Sequence, residues 1–159
     1  MPTCRPSSGA GFTLMELLVT ISIAGIMAMI AVPSFNALSN EQHAKNTATN
    51  IYIGLLRARS EALKFNQSVS ISPKAGGWQN GWQIANTGTG AVLEDQGPLK
   101  GLTITATTGP GTIVYNSYGR VQGGKTSLQL TTTDGNPVVS RCVTVGPSGR
   151  PYIKASSCS

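Results

Sequence analysis

Between Phe12 and Val32 the chain reads FTLMELLVTISIAGIMAMIAV, and Glu16 is the one charged residue among these 21. As an α-helix this run would be roughly 31 Å long, enough to cross the apolar part of a bilayer. An ionisable group near one end of such a segment is costly in lipid, so Glu16 is a functional candidate. Gly25 and Pro33 can loosen or bend the helix, because proline removes a backbone donor and crowds the preceding turn. From Ser39 to about Asn66 the pattern stays helical but becomes amphipathic. Ala44, Ala48, Ile51, Leu55, Ala58 and Ala62 recur at steps of three and four, and Leu56, Leu63 and Phe65 widen that stripe. Lys45, Arg57, Arg59, Glu61 and Lys64 fall largely off it. One continuous helix is therefore expected, apolar all round in its first half and packed along one face in its second.

After Asn66 the period changes to two. Val69 to Ser72 alternates and predicts a strand. Pro73 to Gly77 reads as a turn, and Asn80-Gly81, between Trp78 and Trp82, reads as a hairpin turn. The two tryptophans are expected in the core over the helix. Asn86 to Gly90 reads as a loop. Further strands are expected at Val92–Glu94, Leu102–Ala106, Thr112–Tyr115, Ser127–Thr132, Val139–Val145 and Arg150–Ile153, with turns at Asp134-Gly135-Asn136 and Gly146–Gly149. A long helix followed by many short strands points to an α+β fold, the helix lying across antiparallel sheets.

Composition adds direction. The chain has 159 residues, room for one domain beside the apolar helix. Beyond Ser39, eleven Lys and Arg face five acids, so a net charge of +6 falls on the head. Such a surface suits polyanions such as nucleic acid or anionic head groups; it equally serves solubility or an acidic neighbour. Arg5, ahead of the apolar run, favours the cytoplasmic side and places the residues beyond the helix outside. There, Cys142 and Cys158 form an isolated pair, and a disulfide is expected. Cys4 stands ahead of the apolar run. One histidine, His43, and no Cys/His cluster speak against a metal site. No Ser–His–Asp or Cys–His set and no phosphate-binding glycine fingerprint occur, so neither enzyme activity nor a cofactor is expected. Glu94-Asp95 reads as a solvated acid pair, since adjacent residues of an extended chain point apart.

The placement of small residues is unlike that of a secretory signal. Gly9-Ala10-Gly11 precedes the apolar run, so a cut after Gly11 would leave the hydrophobic helix on the mature chain. Read by itself, the run is also compatible with a plain membrane anchor. The pattern Gly11, Phe12-Thr13-Leu14-Met15-Glu16 and an apolar continuation resembles the prepilin cleavage motif of type IV pilins and type II secretion pseudopilins. Leu55 to Lys64, the Gly77-Trp78 and Gly81-Trp82 pairs, and Ile113 to Arg120 resemble segments of the FimT/GspH family of minor pilins.

That resemblance covers nearly the whole chain. It implies a type IV pilin-like fold with a prepilin leader (1–11), a transmembrane and filament-core helix (12–38) and a periplasmic or extracellular head (39–159). The head would hold an amphipathic helix (39–66) and a β-rich region (67–159). It implies a prepilin peptidase that cuts between Gly11 and Phe12 and methylates the Phe12 amine. Glu16 would pair with the Phe12 amine of a neighbouring subunit, and a proline at position 33 is usual. The implied partners are major and minor pilins and an inner-membrane assembly platform, with the inner membrane holding the subunit before assembly. The expected role is that of a minor pilin near the tip of a type IV pilus. The alternatives are a GspH-like pseudopilin of type II secretion and a DNA receptor of natural transformation. FimT-like pilins that bind DNA carry a Gly-Arg-x-Arg motif near the C-terminus. Here Gly149 and Arg150 match, Tyr152 stands where the second arginine would be, and Lys154 comes two residues later. In an extended chain Arg150, Tyr152 and Lys154 share one face, and two cations around an aromatic suit a nucleic-acid backbone. Arg141 and Arg120 are further candidates, and a structural turn with a solvated arginine is the competing reading.

Overall fold

The structure is a computed structural model that describes residues 12–109, 111–133 and 138–158; within α1, side chains 30–34 and 37 are also left undescribed. The leader with Cys4, Arg5 and Gly11, and the turn expected at 134–136, lie outside the described residues. One helix, α1 (Leu14–Phe65), is followed by nine strands. They are β1 (Val69–Lys74), β2 (Gly77–Asn86), β3 (Val92–Asp95), β4 (Leu102–Thr108), β5 (Ile113–Tyr115), β6 (Val121–Gln122), β7 (Thr126–Thr132), β8 (Ser140–Val145) and β9 (Pro151–Lys154).

Two units divide the chain, Met1–Asn36 and Ala37–Ser159. In the first, α1 passes through Gly25 and Pro33 without interruption. Its large apolar side chains, among them Leu14, Leu17, Ile21, Ile26 and Met29, are exposed. Among the described residues no helix is long and apolar enough to cross a membrane. The expected span, 12–38, contains the six undescribed side chains.

The second unit is the head. Every member of the expected stripe, Ala44, Ala48, Ile51, Leu55, Ala58 and Ala62, is buried. Leu56, Leu63 and Phe65 do not widen it; they are exposed, because the buried arc is narrow and the sheets meet it along small side chains. The helix stops where Asn66 takes a left-handed conformation (φ 52°) and the Gln67 amide donates to the Ala62 carbonyl at 3.2 Å. That is a Schellman ending with asparagine in the usual glycine position.

The strands form two antiparallel sheets, ordered β3-β2-β1-β5-β6 and β4-β7-β8-β9. Val69 and Ile71 stand opposite Tyr115 and Ile113, and Ile71 also faces Ile84, so one face of the first sheet is apolar. In the second sheet Ile104 faces Leu130 and Leu128 faces Val143. These inward faces and the α1 stripe make a single core. Burying each large aliphatic residue there contributes roughly 1.5–3 kcal/mol.

Three expectations change. The β1–β2 turn is tighter than read: Pro73, Lys74 and Gly77 belong to strands, leaving Ala75-Gly76 between them. Asn80-Gly81 is no hairpin turn but an irregularity within β2, where the register jumps between Pro73↔Trp82 and Lys74↔Gly77. Asn80 turns back to donate to the Ala75 carbonyl at 2.8 Å. Gly81 (φ 98°) lies so close to the next loop that a Cβ there would stand 2.1 Å from the Gln96 carbonyl oxygen. The two-residue β6 was not foreseen, being too short to carry a period. The tryptophans lie in the core as expected, 6.2 Å apart and tilted by 45°. Gly54 gives Trp82 its place, since a Cβ on it would come 3.1 Å from the indole nitrogen.

Gly81→Ala is expected to lower the stability of the full chain by at least ~2 kcal/mol, from left-handed strain and overlap with backbone. Gly90→Ala, with φ 72° and nothing within 4 Å, should cost ~1 kcal/mol. Urea unfolding followed by tryptophan fluorescence would separate them; equal losses would contradict the bulge contact.

Candidate functional site

Of the N-terminal candidates, Phe12 lies just before α1 and Glu16 on its first turn. Phe12 and Glu16 are exposed. The Glu16 amide donates to the Thr13 hydroxyl at 3.2 Å, and the Leu17 amide to the Thr13 carbonyl at 3.1 Å. Thr13 is thus the N-cap, and Thr13-x-x-Glu16 has the spacing of a capping box. The carboxylate also suits the positive end of the helix dipole. The spacing of Thr13 and Glu16 is a local signal of this cap, whereas the expectation for Glu16 rested on its charge in an apolar run and on the resemblance to the prepilin motif. Gly11 lies outside the described residues, as does the Pro33 side chain.

The C-terminal candidates gather around two turns. In Asn116–Arg120 the Gly119 amide donates to the Asn116 carbonyl at 2.8 Å, and the Asn116 side-chain oxygen accepts from the Tyr118 and Arg120 amides. In Gly146–Gly149 the Gly149 amide donates to the Gly146 carbonyl at 2.9 Å. The turns abut: a Cβ on Gly149 would lie 2.0 Å from the Gly119 carbonyl oxygen, and the Val121 amide donates to the Pro147 carbonyl at 3.2 Å. Both glycines have positive φ, 69° and 75°, and each is followed by an exposed arginine, Arg120 and Arg150. Arg59 of α1 packs over Gly119, where its Nε would be 3.0 Å from an added Cβ. It is a third cation at this end. No local pattern in the sequence ties residue 59 to residue 119.

Beneath these turns lies Tyr115, fully buried. Desolvation holds its phenol well above the usual tyrosine range, opposed in part by the positive charge of Arg59. Burial of this ring keeps the hydroxyl neutral.

On β9, the Lys154 ammonium sits 5.9 Å from the centre of the Tyr152 ring, so these two share a face as expected. Arg150 precedes the strand, on the turn. Arg141 is placed elsewhere. Tyr152 and Lys154 pair with Thr144 and Cys142, so alternation sets Arg141 on the other face of β8. There its Nη2 binds Glu41 of α1 at 3.0 Å.

The disulfide between Cys142 and Cys158 is formed. It draws the tail back over the outer face of the second sheet, where the Cys158 amide donates to the Gln129 side chain. Under it lies a buried polar layer in which Ser127 and Thr144 hydroxyls are 3.1 Å apart. Glu94-Asp95 is not simply solvated. Glu94 binds Arg57 of α1 at 2.8 Å and Asp95 binds Lys74; the two do point apart, but each meets a cation. With Glu41–Arg141 and Glu61–Lys64, every described acid of the head has a cation partner. Lys45, Lys100, Arg120, Lys125, Arg150 and Lys154 have no ion pair among the described residues.

Comparison with known proteins adds two kinds of match. The family model described as type II transport protein GspH matches residues 47–149, and that of the prokaryotic N-terminal methylation motif matches residues 7–32. A search of curated proteins returns no match. Among solved structures the chain is similar to the type IV minor pilin FimU of Pseudomonas aeruginosa (strain PAO1) in two crystal forms. For the P21 form the TM-score is 0.59 at 19% identity, covering 74% of this chain and 92% of that one. For the P65 form the values are 0.58 and 19%, over 69% and 91%. At that identity the likeness is one of fold.

Opening the disulfide with Cys158→Ser is expected to cost ~3 kcal/mol for a closed loop of this length. Because 16 positions separate the cysteines, reductant should lower the thermal midpoint of the native chain and leave that of Cys142→Ser/Cys158→Ser unchanged. A native midpoint indifferent to reductant would contradict the stabilising role.

Proposed function

This chain belongs to the GspH family of type II transport proteins, and we propose that it works as a minor pilin of a type IV pilus, promoting assembly from a place near the tip. The observation that carries the reading is the methylation motif at residues 7–32 joined to a GspH head at 47–149, with exposed apolar side chains on α1 between Phe12 and Leu38. A helix of that kind has to be covered, first by lipid and then by other helices. A prepilin peptidase removes residues 1–11 and methylates Phe12; the subunit waits in the inner membrane with its head in the periplasm, and then enters the filament. Glu16 meets the Phe12 amine of a neighbour, because a carboxylate moved out of water needs a counter-charge. Pro33 gives the helix a point of flexure during packing. The work is assembly and contact, not turnover.

The GspH match favours a second reading within the same class, a minor pseudopilin of a type II secretion machine. DNA contact is a further part of the proposal. What supports it is the group of unpaired cations, Arg120 and Arg150 on abutting turns and Lys154 beside Tyr152, with Arg141 occupied by Glu41. Contacts of that kind go to the phosphate backbone and weaken steeply with salt.

Two measurements test this. Glu16→Ala, or a Gly11 substitution that blocks cleavage, should abolish incorporation of the subunit into sheared filaments, while head stability stays unchanged. Wild-type incorporation by either variant would remove the filament role. In a gel shift across a salt series, Arg150→Ala/Lys154→Ala should weaken DNA binding and reduce the slope of log affinity against log salt by roughly two. An unchanged slope would take DNA away from this face.

A further inference from the structure

Away from the twin turns, a cleft opens beside the part of α1 that enters the head. It is lined by Glu41, Lys45, Thr49, Arg141, Ile153 and Ala155. Two cations face one carboxylate there. Glu41 engages Arg141 through Oε1 and is itself half exposed. A guanidinium has five N–H donors, so this bond leaves Arg141 with donors to spare. Lys45 is exposed and has no ion pair among the described residues. Thr49 is held in place, its hydroxyl donating to the Lys45 carbonyl at 2.9 Å. Ile153 and Ala155 supply an apolar wall.

On the other flank of α1, His43 Nε2–H donates to the Lys100 carbonyl at 2.6 Å, which brings a second lysine without an ion pair among the described residues next to the same turns of the helix. The position along the helix matters as much as the charge. Leu38, exposed, is three residues before Glu41. At the α-helical rise Lys45 lies about 10 Å beyond Leu38. A bilayer's polar layer begins where its apolar core ends and is roughly 5–8 Å deep on each side, within reach of a lysine side chain at that height.

We propose that this cleft binds the phosphate of an anionic phospholipid headgroup while the subunit stands in the bilayer before assembly. The inference rests on the membrane stage of the proposed function. Arg141 and Lys45 clamp the phosphate, Glu41 yields its place on Arg141, and the wall of Ile153 and Ala155 faces the glycerol. A neutral, zwitterionic headgroup carries its own ammonium and gains less from the clamp. On leaving the membrane for the filament the subunit loses the lipid, and Arg141 keeps Glu41 as its ion partner through Nη2, with its buried Nε unpartnered, as seen here.

The test uses the full chain in nanodiscs of phosphatidylcholine mixed with phosphatidylglycerol, with native mass spectrometry reading which lipid stays bound. The wild type should retain phosphatidylglycerol over phosphatidylcholine. Lys45→Ala should lower that preference about fivefold, the factor that ~1 kcal/mol per cation at an anionic surface corresponds to. Glu41→Gln should raise it, by removing the competing carboxylate. Because Lys45 is exposed, its replacement leaves the core intact and keeps the test valid if Glu41→Gln weakens the head. Equal retention of the two lipids, or indifference to Lys45→Ala, overturns the proposal. Inorganic phosphate bound in the cleft of a chain that shows no preference between the two lipids assigns the cleft to a soluble anion and also overturns it. So does an effect of Lys45→Ala confined to subunit cross-linking in filaments, which would point to a neighbour's carboxylate. A chain that never enters the nanodisc overturns the membrane stage, and this site with it.

Discussion

The head depends on the small buried face of α1. Ala44, Ala48, Ala58 and Ala62 are all fully buried, with Ile51 and Leu55 between them. Alanine loses no side-chain entropy on ordering and keeps helix propensity high, while letting sheets come close to the helix axis. Two large residues in the middle of the stripe belong to the same core cluster as Ile71 and Trp82 of the first sheet and Leu128 and Val143 of the second. A broader apolar face would have pushed the sheets outward, and this is why Leu56, Leu63 and Phe65 remain outside.

Close approach also governs the loops. Gly81 and Gly149 hold backbone against backbone at distances a Cβ would not permit, and Gly119 lets the Arg59 side chain come within 3.0 Å of where a Cβ would stand. At Gly119 and Gly149 the result is chemical as well as steric, because the residue after each is an arginine. Two arginines far apart in sequence are thereby fixed on neighbouring turns, over a tyrosine whose burial keeps it uncharged.

Charge follows the same economy. The few acids of the described head are all tied to cations: Glu94 and Glu41 hold β3 and β8 to α1, Asp95 holds β3 to β1, and Glu61 meets Lys64 within α1. Exposed pairs of this kind contribute little stability each, typically below 1 kcal/mol. Their larger effect is on the surface that remains, which is left with lysines and arginines without carboxylates beside them. The net charge of the chain thus becomes a property of particular faces, at the twin turns, along β9 and around the first head turns of α1.

The sequence by itself determined whatever repeats over a few residues. The 3.6-residue stripe from Ala44 to Ala62, the alternation in Val69–Ser72 and Ser127–Thr132, and the glycine-phenylalanine step before an apolar run with Glu16 could all be read directly, as could the Cys142–Cys158 pairing, since no third cysteine competes in the head. Tertiary structure decided what depends on partners distant in the chain. Asn80-Gly81 has the local chemistry of a turn, yet pairing of Pro73 with Trp82 stretched it into a bulge within one strand. Arg141 looks like any basic residue of a strand until Glu41, a hundred positions earlier, is brought against it. The same holds for Arg59 over Gly119 and for the abutting turns. A short-range period is set by backbone geometry alone, whereas these contacts exist after α1 and both sheets have closed on one core.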